Sequence, residues 1–186
     1  MEYSLDEKYN RIKESILQET SKNPIDIAKK IMHKEFVNIH GPEHHFLDGA
    51  VFLVAYKKAG GNVNLSMALD KLKERTIKMP GAMCGQWGIC GSTASIGAAL
   101  SIIHQTGPLS NDDFYKDHME YTSRVILKMS QIGGPRCCKR NAFLSLSEAV
   151  KFVERKYNIK MDLEDIHCEF SSWNKQCITL KCPYYK

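Results

Sequence analysis

The chain has 186 residues, 43% of them apolar and 25% charged, which suits one globular domain with a sizeable core and excludes a low-complexity chain. A formal net charge of +5, with Lys and Arg spread along the sequence, argues against a dedicated nucleic-acid surface. No run approaches the roughly 18 apolar residues of a membrane helix, and Met1-Glu2-Tyr3-Ser4-Leu5 has no signal-peptide character, so the expected compartment is the cytoplasm.

Taken in order, residues 5–18 place Leu5, Tyr9, Ile12, Ile16 and Leu17 at helical spacing. Asn23-Pro24 opens a second helix with Ile25, Ala28, Ile31 and Met32 on one face. Pro42 opens a third and Gly60-Gly61 closes it; its interior from Phe46 to Tyr56 is apolar nearly all round, which predicts a central buried helix. Asn64 or Ser66 caps a fourth, ended by Met79-Pro80. A glycine-rich stretch from Pro80 to Ser92 carries Cys84 and Cys90. It leads into a helix of small residues from about Thr93 to His104. Ser110 is the expected cap of the next helix, with Asp112 and Asp113 near its positive end, and Gly133-Gly134-Pro135 stops it. After the turn Arg136-Cys137-Cys138-Lys139-Arg140, Ser145 and Glu148 form a capping-box pattern ahead of Ala149, Val150 and Val153. In the tail, residues 166–170 and 176–181 read as short extended pieces around a turn at Ser172-Trp173-Asn174. The expected fold is all-α: a single-domain bundle of six or seven helices, residues 1–38 forming N-terminal helices and 39–186 a cysteine-rich core with a small cysteine-bearing C-terminal tail or hairpin.

Cysteine carries most of the chemistry. Seven thiols in a reducing compartment point to metal or redox work more than to disulfides. Cys84, Cys90, Cys138, Cys168, Cys177 and Cys182 are the candidate metal ligands, with His44 as a further donor. Soft thiolates select iron–sulfur clusters or zinc. An iron–sulfur cluster is placed ahead of zinc, because paired Cys-x-x-Cys knuckles are absent and Cys182 is followed by Pro183. A cluster would serve redox chemistry, sulfur handling or maturation of a partner enzyme. A second reading makes Cys137 or Cys138 a metal-free nucleophile, its pKa lowered by Arg136, Lys139 and Arg140, which would also recognise an anionic substrate. A third is a zinc-stabilised binding module for protein or RNA.

His40-Gly41-Pro42-Glu43-His44-His45 matches the H-x-x-E-H pattern of inverted zinc peptidases, but Gly41-Pro42 breaks the helix that this chemistry needs. Glu43, His44 and His45 are instead expected on the first turn of the buried helix, facing the cysteine loops. There Glu43 and His44 are candidate proton carriers and His45 a substrate contact. Trp87 and Trp173 either shield a cluster or pack over the core edge. The chain has no nucleophile elbow, P-loop or dinucleotide fingerprint.

Together, the histidine motif, Cys84-Gly85-x-x-Gly88-x-Cys90-Gly91, Gly134-Pro135-Arg136-Cys137-Cys138-Lys139-Arg140 and Asn174-Lys175-Gln176-Cys177 to Cys182-Pro183-Tyr184 resemble an uncharacterised prokaryotic cysteine-rich family. It is a domain of unknown function, found alone or attached to methyltransferase-like or radical-SAM-like partners, and the likeness runs from about Ile39 to the end. The resemblance implies a partner enzyme of one of those kinds, and the family supplies no activity to carry over to this chain. Gly88-x-Cys90-Gly91-x-x-Ala94-x-x-Gly97 is also similar to an element of redox proteins with a Cys-Gly-Cys-Ala signature, with Ser92 where those have alanine.

Overall fold

The computed structural model describes residues 3–185. Among them are eight α-helices, two 3₁₀ turns and no strand: α1 (Leu5–Leu17), α2 (Pro24–Met32), α3 (Glu43–Lys58), α4 (Leu65–Thr76), α5 (Met83–Gln86), α6 (Gly91–Ile103), α7 (Asp113–Ile132) and α8 (Cys138–Tyr157), with the turns at Ser171–Trp173 and Thr179–Lys181. Among the described residues, no helix is long and apolar enough to cross a membrane.

α3 is the axis of the bundle. It touches α1, α2, α4, α6 and α8, and every residue from Glu43 to Tyr56 is buried. A helix apolar on all sides has no solvent face to offer, so other helices must surround it. Tyr9 of α1 stacks on Phe46 with ring centroids 4.9 Å apart. α6 lies close against α3 because its residues are small: Ser95 Oγ accepts a hydrogen bond from the Gly49 amide at 3.1 Å. α7 and α8 close the bundle through a buried polar seam. Tyr121 donates to the Ser145 carbonyl at 2.9 Å, and the Ser145 and Thr93 hydroxyls share a bond of 3.1 Å.

The expected caps of α2 and α4 are present. Asn23 Oδ1 accepts from the Ile25 amide and Asn64 Oδ1 from the Met67 amide. The sequence expectation is overturned at four other places. The glycine-rich stretch contains the extra short helix α5, entered through Ala82 in the left-handed region at φ 61°. α7 is capped by Asp112, whose carboxylate accepts from Tyr115; Ser110 instead accepts from the Gly107 amide. α8 begins seven residues before Ser145, because the Cys137 sulfur accepts the Arg140 amide and caps the helix there. Ser145 lies fully buried within α8, and Glu148 pairs with Lys128 and Lys151. Finally, the tail pieces are not strands. The Cys168 amide donates to the Tyr184 carbonyl at 2.8 Å, and the rest of the tail is coil and 3₁₀ turns.

Candidate functional site

Three helices start at one place. α3 contributes His44, His45 and Asp48 from its first two turns, with His40 on the loop before it. α6 contributes its cap Cys90 and Ser92, and α8 contributes Cys137, Cys138 and Asn141. With Cys84 of α5 and Arg136, they enclose a cavity of about 250 Å³. An open groove beside it shares Cys84, Cys90, Arg136 and Asn141 in its lining.

Several residues of the cavity wall carry polar atoms without partners. His40 Nδ1, His44 Nδ1, His45 Nδ1, both Asp48 oxygens and Ser92 Oγ are buried with no hydrogen bond among the described residues. His44 Nδ1 and Asp48 Oδ1 stand 3.9 Å apart, too far to bond. His44 Nε2 is 3.2 Å from the Asn38 carbonyl and 3.1 Å from Lys139 Nζ. Burial lowers the pKa of His45 and His40, which favours neutral imidazoles there. Burial likewise raises the thiols of Cys90 and Cys137 and pushes Cys138 up to about 12. Gly91 is required by this packing, since a Cβ there would run into the His45 ring. Gly88, at φ +70°, is the turn that brings the chain from α5 back to Cys90.

Four thiols meet on the other side of α8's first turn. Cys137, Cys168, Cys177 and Cys182 line a small enclosed space of about 20 Å³ with Phe170, Asn174 and Tyr184. The Cys137 sulfur accepts from the Arg140 amide and the Asn174 side chain, and Cys177 accepts from the Thr179 amide at 3.4 Å. The Cys168 pKa is raised by burial and, further, by the nearness of Cys137, Cys182 and Cys177, while the Phe170 amide opposes this. All seven cysteines are free and partly buried. Among the described residues, no three His, Cys, Asp or Glu side chains already stand where one metal ion could be held.

The cysteine candidates therefore divide into two groups. Cys84, Cys90 and Cys138 belong to the histidine cavity, Cys168, Cys177 and Cys182 to the tail, and Cys137 lines both. The basic knot also comes apart. Arg136 lines the cavity. Arg140 is spent on the Gly133 and Pro135 carbonyls at 3.0 Å each. Lys139 is buried away from the cavity, donating to the Asn38 carbonyl at 2.9 Å over the Phe170 ring, and burial brings it down to about 8. The expected lowering of thiol pKa by these three residues is not found, because burial outweighs them. His44 and His45 do face the thiols. Glu43 does not: it accepts the Asn38 amide at 2.8 Å with Lys8 3.9 Å away, and so ties down the loop. Trp173 packs on His33 and Phe170 at the core edge, while Trp87 is largely exposed.

The sequence profile of DUF5714, a family of unknown function, matches residues 12–185. The chain belongs to this family. The match starts within α1, so the N-terminal helices are part of the family domain rather than an addition to it. No curated protein and no solved structure matches the chain.

Asp48, His40, Ser92, Asn141 and Asn174 were not among the site candidates read from sequence. Asp48 did leave a signal, as the one acidic residue inside an otherwise apolar helix, one turn after His44. Asn174 opens the tail motif that carries the family resemblance, while Asn141 left no signal.

Proposed function

We propose that this protein is a thiolate-metal protein whose tail ring, Cys137, Cys168, Cys177 and Cys182, takes an iron–sulfur cluster or a zinc ion. One observation carries the reading: four thiols, Cys137 at the start of α8 and three from the tail, line one small space. Crowded neutral thiols gain little from each other, and a soft cation that replaces their protons satisfies all four. Backbone amides of Arg140, Phe170 and Thr179 point at three of the sulfurs, which favours the thiolate form. Metal entry would draw the sulfurs together, since none of them stands in ion-holding geometry beforehand.

A redox-active cluster would place the protein in redox chemistry, sulfur handling or the maturation of a methyltransferase-like or radical-SAM-like enzyme. A structural zinc is the second reading, favoured by the size of the space, which is close to that of one water molecule. Anaerobic purification followed by visible absorption and iron, sulfide and zinc analysis separates the two. Brown protein with matched iron and sulfide supports the cluster; colourless protein with about one zinc per chain supports the ion. In either case Cys177→Ser lowers the metal content and a strong chelator lowers the melting temperature. Metal-free protein from anaerobic cells, folded and indifferent to chelator, overturns the proposal.

A further inference from the structure

The histidine cavity holds a set of groups that the tail ring does not explain. Asp48 is fully buried, and neither carboxylate oxygen has a hydrogen-bond partner among the described residues, with His44 Nδ1 3.9 Å from one of them. A buried carboxylate is unfavourable unless a cation or hydrogen-bond donors compensate it. His44, Ser92 and His45, 1%, 3% and 7% exposed, line the same cavity, and each carries a polar atom without a hydrogen-bond partner among the described residues.

The tautomers of two histidines follow from their outer partners. Asn174 Oδ1 accepts the Gln176 amide at 2.9 Å, which identifies that atom as the oxygen, and His40 Nε2 lies 3.0 Å from it. His40 Nε2 is therefore the donor, and Nδ1 carries a lone pair. The His45 ring donates to the Met79 carbonyl; its Nδ1 has no partner, so Nε2 is again the donor. A ring nitrogen tied to a carbonyl on one side, with a lone pair facing a buried polar space on the other, is how proteins orient histidines around metal ions. With Asp48 added, the wall is rich in acceptors. The occupant must bring positive charge and donors.

We propose that this cavity is a second site, for one hydrated divalent cation held by Asp48, with the Nδ1 atoms of His44, His45 and His40 completing its shell directly or through its bound waters. The cavity volume of about 250 Å³ has room for an ion and several waters. Bound water also explains how the donors can ring the cavity without three of them converging on a point. Cys90, Cys138 and Arg136 lie at the same cavity, so a small ligand entering it would meet the cation and the thiols together.

Manganese is the probe of choice, because it prefers carboxylate, water and imidazole to thiolate and leaves the tail ring alone. Titration of the full-length, as-purified chain with Mn²⁺, followed by electron paramagnetic resonance, is expected to saturate at one ion per chain. Asp48→Asn is expected to weaken it by tenfold or more and His45→Gln by several-fold, while Cys177→Ser still saturates at one ion per chain. Circular dichroism checks that each variant is folded; where Asp48→Asn is not, His45→Gln decides. No saturable binding, or binding untouched by the folded cavity variants, overturns the site. Loss of Mn²⁺ binding in folded Cys177→Ser would assign the ion to the tail and overturn it equally. Because the tail ring is read out by iron, sulfide and zinc content, either site can fail alone.

Discussion

Asp48 and His45 show how far a single side chain can be read. Both sit on the buried helix α3, and His45 depends on a neighbour, Gly91, with no side chain of its own in the way. Gly91→Ala would push the His45 ring off its seat. The expected result is a folded protein with Mn²⁺ binding weakened at least as much as in His45→Gln, measured by the same titration. Cys138 permits a second test at this scale. With its pKa near 12, about one molecule in 10,000 is thiolate at pH 8, against roughly a quarter of free thiols with a pKa of about 8.5. Alkylation of metal-free native protein, followed by mass spectrometry, should label Cys138 slower than a model peptide by a factor on the order of 1,000. Labelling at the peptide's rate would restore the nucleophile reading for this residue.

Helices were legible where their ends used ordinary capping chemistry. Asn23-Pro24 and Asn64 mark their helices correctly because a short side-chain oxygen is what an orphan amide needs. Asn23→Ala should lower stability by about 1 kcal/mol, a fall of roughly 2–4 °C in melting temperature for a domain of this size. The start of α8 was not legible, because its cap is the sulfur of Cys137, a residue that seldom plays that part, while Ser145 and Glu148 imitate a cap from inside the helix. The tail misled in a similar way. Alternating apolar and polar residues suggest strands, but no partner strand is present among the described residues, and two of the backbone amides, Phe170 and Thr179, go to sulfur instead. Cysteine number and the proximity of His44 to the thiols could be read from the chain. The division of the thiols into two compartments could not, because it depends on which side of α8's first turn each loop reaches.

Across the whole molecule, acid should destabilise the fold in two stages. Burial lowers the pKa of His104, His40 and His45, so the folded state resists protons that the unfolded chain accepts. Their contribution is complete above the unfolded value of about 6.5 and is lost as pH falls below it. Asp117, despite some burial, is held low by Lys156 and Tyr157, and Glu120 by Lys156; these stabilise above an unfolded value of about 4 and fail below it. Melting temperature should therefore drop between pH 7 and 5 and again towards pH 3. His104 stacks on Phe114 at 4.0 Å, so His104→Phe keeps the ring contact and should flatten the first drop only. An unchanged slope between pH 7 and 5 would remove His104 from this account.

Cys137 stands in the partition between the two compartments, and Asn174 bridges its sulfur to His40 on the far side. A guest in the tail would replace the proton on that sulfur and redistribute charge within one hydrogen bond of a cavity histidine. Two guests with such a shared wall are thermodynamically linked: whatever factor the first imposes on the affinity of the second is returned in full. Measured together, the metal content of the tail and the Mn²⁺ affinity of the cavity would then form a closed cycle.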